Sequence, residues 1–226
     1  MSKPLVMALA KGRLMELAMA FFKEIGIESP ELHSGSRKLM FDVPGKNIKI
    51  LLVRAVDVAT YVEHGAADIG IAGKDLLMEQ MCDVYEPIDL GFGYCKIILA
   101  EPVPKNGETA MPKSYSKRRI ATKYPNITEH YFSEKGIPIE IVKLYGSIEL
   151  APLVGLADQI VDLTSTGATL KANNLRIVDD IAECTARVIV NRASLKLKYP
   201  EVKKIIDDIK GLLQQEVLDG KTRNPL

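Results

Sequence analysis

The stretch Thr164-Ser165-Thr166-Gly167-Ala168-Thr169 sets four hydroxyl side chains around one glycine, with no bulky group among them. The apolar run Gln159-Ile160-Val161 precedes it and the helix-compatible Leu170-Lys171-Ala172-Asn173 follows, so it reads as a strand end, a tight turn and a helix start. Small residues at such a place let the backbone curl closely around an oxyanion, with amide N–H groups turned inward at the helix N-terminus. The hydroxyls of Ser165, Thr166 and Thr169 add donors. Asp162, two residues before the turn, brings a carboxylate, which repels phosphate but accepts hydrogen bonds from sugar hydroxyls. Together they suit a sugar phosphate. An N-capped helix would account for one hydroxyl, whereas four around a glycine favour a phosphate cradle.

Cations follow other strand ends. Lys11-Gly12-Arg13 lies just past the apolar run Leu5–Ala10, and two cations at a helix start are mildly unfavourable against the dipole, which points to function. Arg54 closes the run Ile48–Val53 and Arg37 precedes Leu39; a guanidinium matches phosphate with a bidentate fork. The remaining candidates are weaker. His33, His64 and His130 are scattered and belong to no Ser-His-Asp or Cys-His pattern. Lys113, Lys117, Arg118, Arg119 and Lys123 read as a solvated basic stretch, and Tyr94 and Tyr115 as packing residues.

These groups must be carried by a regular frame. Short apolar runs alternate with amphipathic ones, predicting α/β architecture with mostly parallel sheets. Strands are expected at Leu5–Ala10, Leu39–Val43, Ile48–Val53, Asp68–Ala72, Arg119–Thr122, Ile139–Leu144, Asp158–Leu163, Arg176–Asp180 and Ala186–Asn191. Helical spacing is strongest in Gly12–Ile25 and Pro200–Leu218, and a looser segment beyond Pro102 (Pro104, Asn106, Gly107, Pro112) reads as a surface loop. One internal echo stands out: Gly65-Ala66-Ala67-Asp68-Ile69-Gly70-Ile71 lines up with Gly155-Leu156-Ala157-Asp158-Gln159-Ile160-Val161. Any αβα unit can look like this. The echo also suits two similar α/β lobes, each sending a strand-end loop to a shared cleft, since ligands of open α/β sheets bind outside the carboxyl ends of strands.

A chain of 226 residues with 47% hydrophobic and 26% charged side chains suits one large or two small soluble domains. The net charge of +1 argues against a nucleic-acid or membrane-surface protein. Three separate cysteines without a CxxC pair, no signal-peptide pattern and no membrane-length apolar run lead us to expect a reduced, cytoplasmic protein.

The run "YGSIELAPLVGLADQIVDLTSTGATLKANNL" (Tyr145–Leu175) closely resembles the phosphoribosyl-pyrophosphate segment of the ATP phosphoribosyltransferases, which open histidine biosynthesis. "KGRL" at Lys11, "VRAVDVATYVEHGAADIGIAGKDLL" from Val53, "GFGYCKIILA" from Gly91 and "RIATKYP" from Arg119 agree with it, so the resemblance runs from Leu5 to about Arg192. It implies two α/β lobes of the periplasmic-binding-protein type with a ligand cleft between them, at residues 1–93 with 184–226 and at residues 94–183. It implies displacement of pyrophosphate from C1 of phosphoribosyl pyrophosphate by N1 of ATP, with Mg²⁺ carried by the pyrophosphate and no protein-held metal. In that scheme Thr164 to Thr169 (with Ser165, Thr166, Gly167 and Ala168 between) hold the 5-phosphate. Asp162 and Glu149 hold the ribose, Lys11, Arg13 and Arg54 meet pyrophosphate or ATP phosphates, and Asp68 and Gly70 line the ATP side. Lys11 and Arg54 are the expected catalytic cations, and Arg37 joins the substrate-binding set. Tyr94 departs from the small residues expected before the cysteine. Ending near the long helix, the sequence resembles the short form, which works with a regulatory subunit related to histidyl-tRNA synthetase, implying a homodimer within a hetero-octamer. Nucleic acid and membrane are not expected partners.

Overall fold

The computed structural model describes residues 3–33, 36–104 and 117–219; the expected loop positions Asn106, Gly107, Pro112, Lys113 and Tyr115 lie outside them. The chain forms two compact units, one from residues 1–94 with 185–226 and the other from residues 95–184.

The first unit opens with β1 (Leu5–Ala10) and α1 (Arg13–Glu24), followed by β2 (Met40–Asp42) and β3 (Ile48–Val53). A 3-10 turn at Ala55–Asp57 leads into α2 (Val58–Glu63), then β4 (Ile69–Gly73), α3 (Lys74–Gln80) and β5 (Tyr85–Asp89). The second unit holds β6 (Cys95–Pro102), β7 (Arg118–Thr122), α4 (Pro125–Glu134), β8 (Ile139–Lys143), α5 (Leu150–Leu153), β9 (Gln159–Thr164), α6 (Ala168–Ala172) and β10 (Leu175–Cys184). The chain then returns to the first unit with β11 (Ala186–Val190), α7 (Ser194–Leu197) and α8 (Tyr199–Leu218).

The first sheet has the order β2-β3-β1-β4-β11-β5 and the second β10-β6-β9-β7-β8. Strand β1 shows why such runs must be apolar throughout. Met7 and Leu9 pack with the α1 and α8 side, among Phe21, Phe22, Val202 and Ile206, while Ala8 and Ala10 pack on the other face against Val58 and Val62 of α2. Both faces are covered, so alternation disappears. Helix α8 buries Val202, Ile205, Ile206 and Ile209, the stripe its spacing predicts. The second unit has its own core of Ile98, Ala100, Ala121, Ile148, Ile160, Leu170 and Leu175.

The sheets are mixed rather than mostly parallel. Only β3-β1-β4 and β9-β7-β8 run parallel; β2, β11, β5, β6 and β10 pair antiparallel to their neighbours. The reason is connectivity. Strand β5 leads out of the first sheet into β6 and β10 leads back into β11, so the outgoing strand pairs antiparallel with the returning one in each sheet, while β2 and β3 form a hairpin across a short turn. Strand β10 also extends well past the expected Arg176–Asp180, because its exposed middle hides the alternation and two register shifts interrupt its pairing with β6.

The GxAD echo is one device made twice. Asp68 N–H donates to the Val6 carbonyl at 2.8 Å while Asp68 Oδ2 accepts the Val6 N–H at 2.8 Å. Asp158 makes the same pair of bonds with Arg119, both 2.8 Å. Each aspartate follows a helix stop at a left-handed glycine, Gly65 at φ 71° and Gly155 at φ 74°, and clasps the start of the neighbouring parallel strand.

Candidate active site

Strands β1, β3 and β4 are parallel, so their carboxyl ends share one edge of the first sheet. Lys11 follows β1 and its N–H donates to the Val53 carbonyl at 3.0 Å, one residue before Arg54. Strand β2 runs the other way, with Leu52 N–H donating to the Leu39 carbonyl at 2.9 Å, so Arg37, just before β2, belongs to the same edge. Arg13 begins α1 beside Lys11, after Gly12 at φ 96°. These four cations are exposed, and none has an acidic partner among the described residues. Nearby Lys38 and Lys49 are paired, with Glu31 and Asp42. A set of unneutralised cations at strand ends suits a polyanion.

Asp68 and Gly70 do not join that set. Asp68 precedes β4, at the opposite end of the strand, and is 4% exposed. Its carboxylate accepts from Val6 N–H (2.8 Å), Ser194 Oγ (2.6 Å) and Lys198 Nζ (2.7 Å), tying α7 and α8 to β1. Gly70 is a packing residue: a Cβ there would meet Val62 Cγ2 at 2.8 Å, Val58 Cγ1 at 3.0 Å and Ile189 Cγ1 at 3.3 Å, so its smallness lets α2 and β11 close on β4. In this structure both positions hold the lobe together instead of lining a binding edge.

In the second sheet, β7 and β9 are parallel with Thr122 opposite Val161. The next residues on each strand, Lys123 and Asp162, therefore meet: Lys123 Nζ lies 3.4 Å from Asp162 Oδ1. The same oxygen accepts the Leu163 N–H at 2.8 Å. Oδ2 accepts no bond from the described residues. Asp162 is buried, and burial pushes its pKa up; the Lys123 charge and the Leu163 N–H pull it down, and the nearby Glu149 carboxylate adds a smaller push upward. Glu149 sits at the start of α5, anchored by buried Ile148. Lys123, read in the sequence as part of a solvated basic stretch, stands here beside a buried carboxylate. Its signal was position: it is the first residue after a buried strand, as Arg54 is.

Beyond Asp162 the loop turns through Gly167 at φ 72°, in the left-handed region that favours glycine. Thr164 Oγ1 accepts the Gly167 N–H at 2.9 Å and Thr166 Oγ1 accepts the Ala168 N–H at 3.4 Å. Two of the four hydroxyls therefore shape the turn. The amides and hydroxyls of Ser165 and Thr169, and the Thr166 amide, have no partner among the described residues, and Ser165, Thr166, Ala168 and Thr169 are exposed. A turn with unsatisfied donors, two residues from a half-occupied buried carboxylate, can take a phosphate and a hydroxylated carbon chain side by side. Among the described residues no three His, Cys, Asp or Glu side chains are grouped to hold a metal ion.

The fold places the chain with two-lobed α/β proteins of the periplasmic-binding-protein type. It superposes on the substrate-binding protein of an amino-acid ABC transporter with a TM-score of 0.56 at 16% identity, covering 96% of this chain and 95% of that one. A relative in sequence is the ATP phosphoribosyltransferase of Syntrophotalea carbinolica, 53% identical over 96% of this chain and 98% of the relative. A solved relative is the ATP phosphoribosyl transferase (HisG:HisZ) complex from Thermotoga maritima, with TM-score 0.79 and 37% identity, covering 93% of this chain and 99% of that chain. The family model "HisG: ATP phosphoribosyltransferase" matches residues 54–211. The chain belongs to the ATP phosphoribosyltransferase family and carries out its reaction, the first step of histidine biosynthesis: transfer of the 5-phosphoribosyl group of phosphoribosyl pyrophosphate to ATP with release of pyrophosphate.

Proposed function

We propose that the second lobe binds the phosphoribosyl half of phosphoribosyl pyrophosphate and the first lobe supplies the cations for the pyrophosphate and ATP phosphates. The observation that carries this reading is the bare donor set of Ser165, Thr166 and Thr169 beside Asp162 Oδ2. The amides and hydroxyls hold the 5-phosphate, Gly167 gives the turn its left-handed geometry, and Asp162 accepts from a ribose hydroxyl with Glu149 in support. Lys11, Arg13, Arg37 and Arg54 neutralise phosphate charge.

The attacking N1 of adenine is neutral and needs no base to activate it. The chain's task is to orient the two substrates and to stabilise the pyrophosphate as it leaves C1 with growing negative charge. Lys11 and Arg54, fixed by adjoining backbone at the ends of β1 and β3, are the groups for that charge. We also propose that the reaction uses Mg²⁺, which supplies further neutralisation of the leaving group. In this reading the ion would be carried mainly by the substrate phosphates, the usual way Mg²⁺ is bound beside transferred phosphates.

The chain is matched over 98% of its Syntrophotalea carbinolica relative, which supports the short-form reading. The HisG:HisZ complex of the Thermotoga maritima relative supports a second, partner subunit; we take that partner to be a regulatory subunit related to histidyl-tRNA synthetase, with a catalytic homodimer inside a hetero-octamer. No helix among the described residues is long and apolar enough to cross a membrane. We take the site of action to be cytoplasmic because the family is biosynthetic.

Calorimetric titration with phosphoribosyl pyrophosphate and Mg²⁺ tests the residue assignment. Asp162→Asn and Ser165→Ala should each weaken binding by roughly tenfold, the loss of one charge-assisted or neutral hydrogen bond plus its geometry. Wild-type affinity in both folded variants would remove the phosphoribosyl group from this loop.

A further inference from the structure

We infer that Lys123 is a positioning residue for phosphoribosyl transfer: from the end of β7 it engages Asp162 Oδ1 and leaves Oδ2 to accept from the ribose. The inference rests on Asp162 being the ribose acceptor and extends that reading to a residue outside the loop.

The geometry is specific. Lys123, the first residue past β7, and Asp162, inside β9, each follow the parallel pair Thr122–Val161 by one residue, so the contact is built into the sheet register. Lys123 Nζ also lies 5.1 Å from the ring centre of Tyr124, a residue only 2% exposed. The amine is thus bracketed by a carboxylate on one side and a buried ring on the other. Oδ1 faces Lys123 Nζ at 3.4 Å and accepts the Leu163 N–H at 2.8 Å, so both protein contacts fall on the same oxygen.

An exposed ion pair of this length would contribute little. Here the carboxylate is buried, and a buried charge without a counter-charge takes up a proton instead. The charged groups that act on Asp162 are Lys123, from the end of β7, and Glu149, from the start of α5; its partner across β6 is apolar Ile98. Of these, Lys123 alone favours the ionised form. Without it, burial and Glu149 act unopposed except by the Leu163 amide, and the carboxyl protonates nearer neutrality. A protonated carboxyl has lost acceptor strength where the ribose hydroxyl needs it.

The experiment compares wild type with Lys123→Met, Lys123→Arg and Asp162→Asn, following kcat/KM for phosphoribosyl pyrophosphate from pH 5.5 to 9, with thermal melts and KM for ATP alongside. The substrate's own phosphate titration is common to all and cancels in the ratios. In Lys123→Met the acid limb should move to higher pH, so that activity relative to wild type falls by roughly tenfold at pH 6 and by less than about threefold at pH 9. Lys123→Arg should keep the wild-type profile, and KM for ATP should not change. A Lys123→Met profile parallel to wild type, with or without a lower melting temperature, makes Lys123 merely structural and overturns the inference. If Asp162→Asn loses phosphoribosyl-pyrophosphate affinity while that parallel profile is seen, the ribose assignment stands and only Lys123 falls. If Asp162→Asn binds normally, both fall.

Discussion

Replacing Asp68 with alanine separates a binding role from a structural one, because the two predict opposite phenotypes. The carboxylate holds three donors at 2.6–2.8 Å: the Val6 amide, the Ser194 hydroxyl and the Lys198 ammonium. Hydrogen bonds to a charged group contribute about 1.5–3 kcal/mol each, but they do not simply add. The Lys198 side chain is 25% exposed and can turn to water, whereas the Val6 amide and Ser194 hydroxyl are left underneath α7. The net cost should be about 3 kcal/mol, at the low end for breaking a buried ion pair. For a chain of this size that lowers the melting temperature by roughly 6–12 °C. Asp158→Ala is the internal control. It removes the same clasp from the second lobe, where the side chain is 52% exposed, and should cost less than about 1 kcal/mol. Urea and thermal melts give the stabilities, and single-turnover formation of phosphoribosyl-ATP in the cold gives the activity of what remains folded. Asp68→Ala should melt early and turn over normally. A variant with an unchanged melt and a greatly raised KM for ATP would refute the structural reading and return Asp68 to the binding edge.

Arg54→Ala should slow the chemical step by roughly a hundredfold, about 3 kcal/mol of transition-state stabilisation, with ATP affinity within a few-fold and an unchanged melt; rapid-quench kinetics decide it, and a normal single-turnover rate would end its catalytic assignment. Gly167→Val forces a β-branched residue to φ 72° with open space around it, so folding should lose about 2 kcal/mol while phosphoribosyl-pyrophosphate affinity falls beyond reach of calorimetry. Gly70→Ala should destabilise by about 1–3 kcal/mol through overpacking against Val62, Val58 and Ile189, with turnover at low temperature intact. Asp162→Asn should raise the melting temperature at neutral pH. Burial holds the folded-state pKa of Asp162 above its unfolded value, so the native state binds the proton more tightly and wild type loses stability as pH rises through the folded pKa. The gain from asparagine should accordingly shrink below the unfolded carboxyl pKa; a melting difference that is flat with pH would contradict the burial argument.

Several features of this protein were determined by the sequence by itself, because they depend on local physics. The strand–turn–helix at Asp162–Asn173 follows from apolar residues giving way to small hydroxylated ones and then to helix formers, and the left-handed turn follows from Gly167. The α8 stripe is legible because one face of a solvated helix repeats at 3.6 residues. Strand ends are legible where a fully apolar run stops at a charge, as at Lys11 and Arg54. The tertiary structure decided what depends on which strand lies beside which. Asp68 and Asp162 look alike as aspartates at the margins of buried strands, yet one precedes its strand and is satisfied by Val6, Ser194 and Lys198, while the other nears the end of its strand with one oxygen bare. Gly70 reads as a ligand glycine until α2 is packed on it. The chain's exit from the first sheet and its return made β11 antiparallel to β5 and β10 antiparallel to β6. Lys123 acquired its partner 39 residues away only through the register of β7 on β9, a pairing between distant strands that no local pattern encodes.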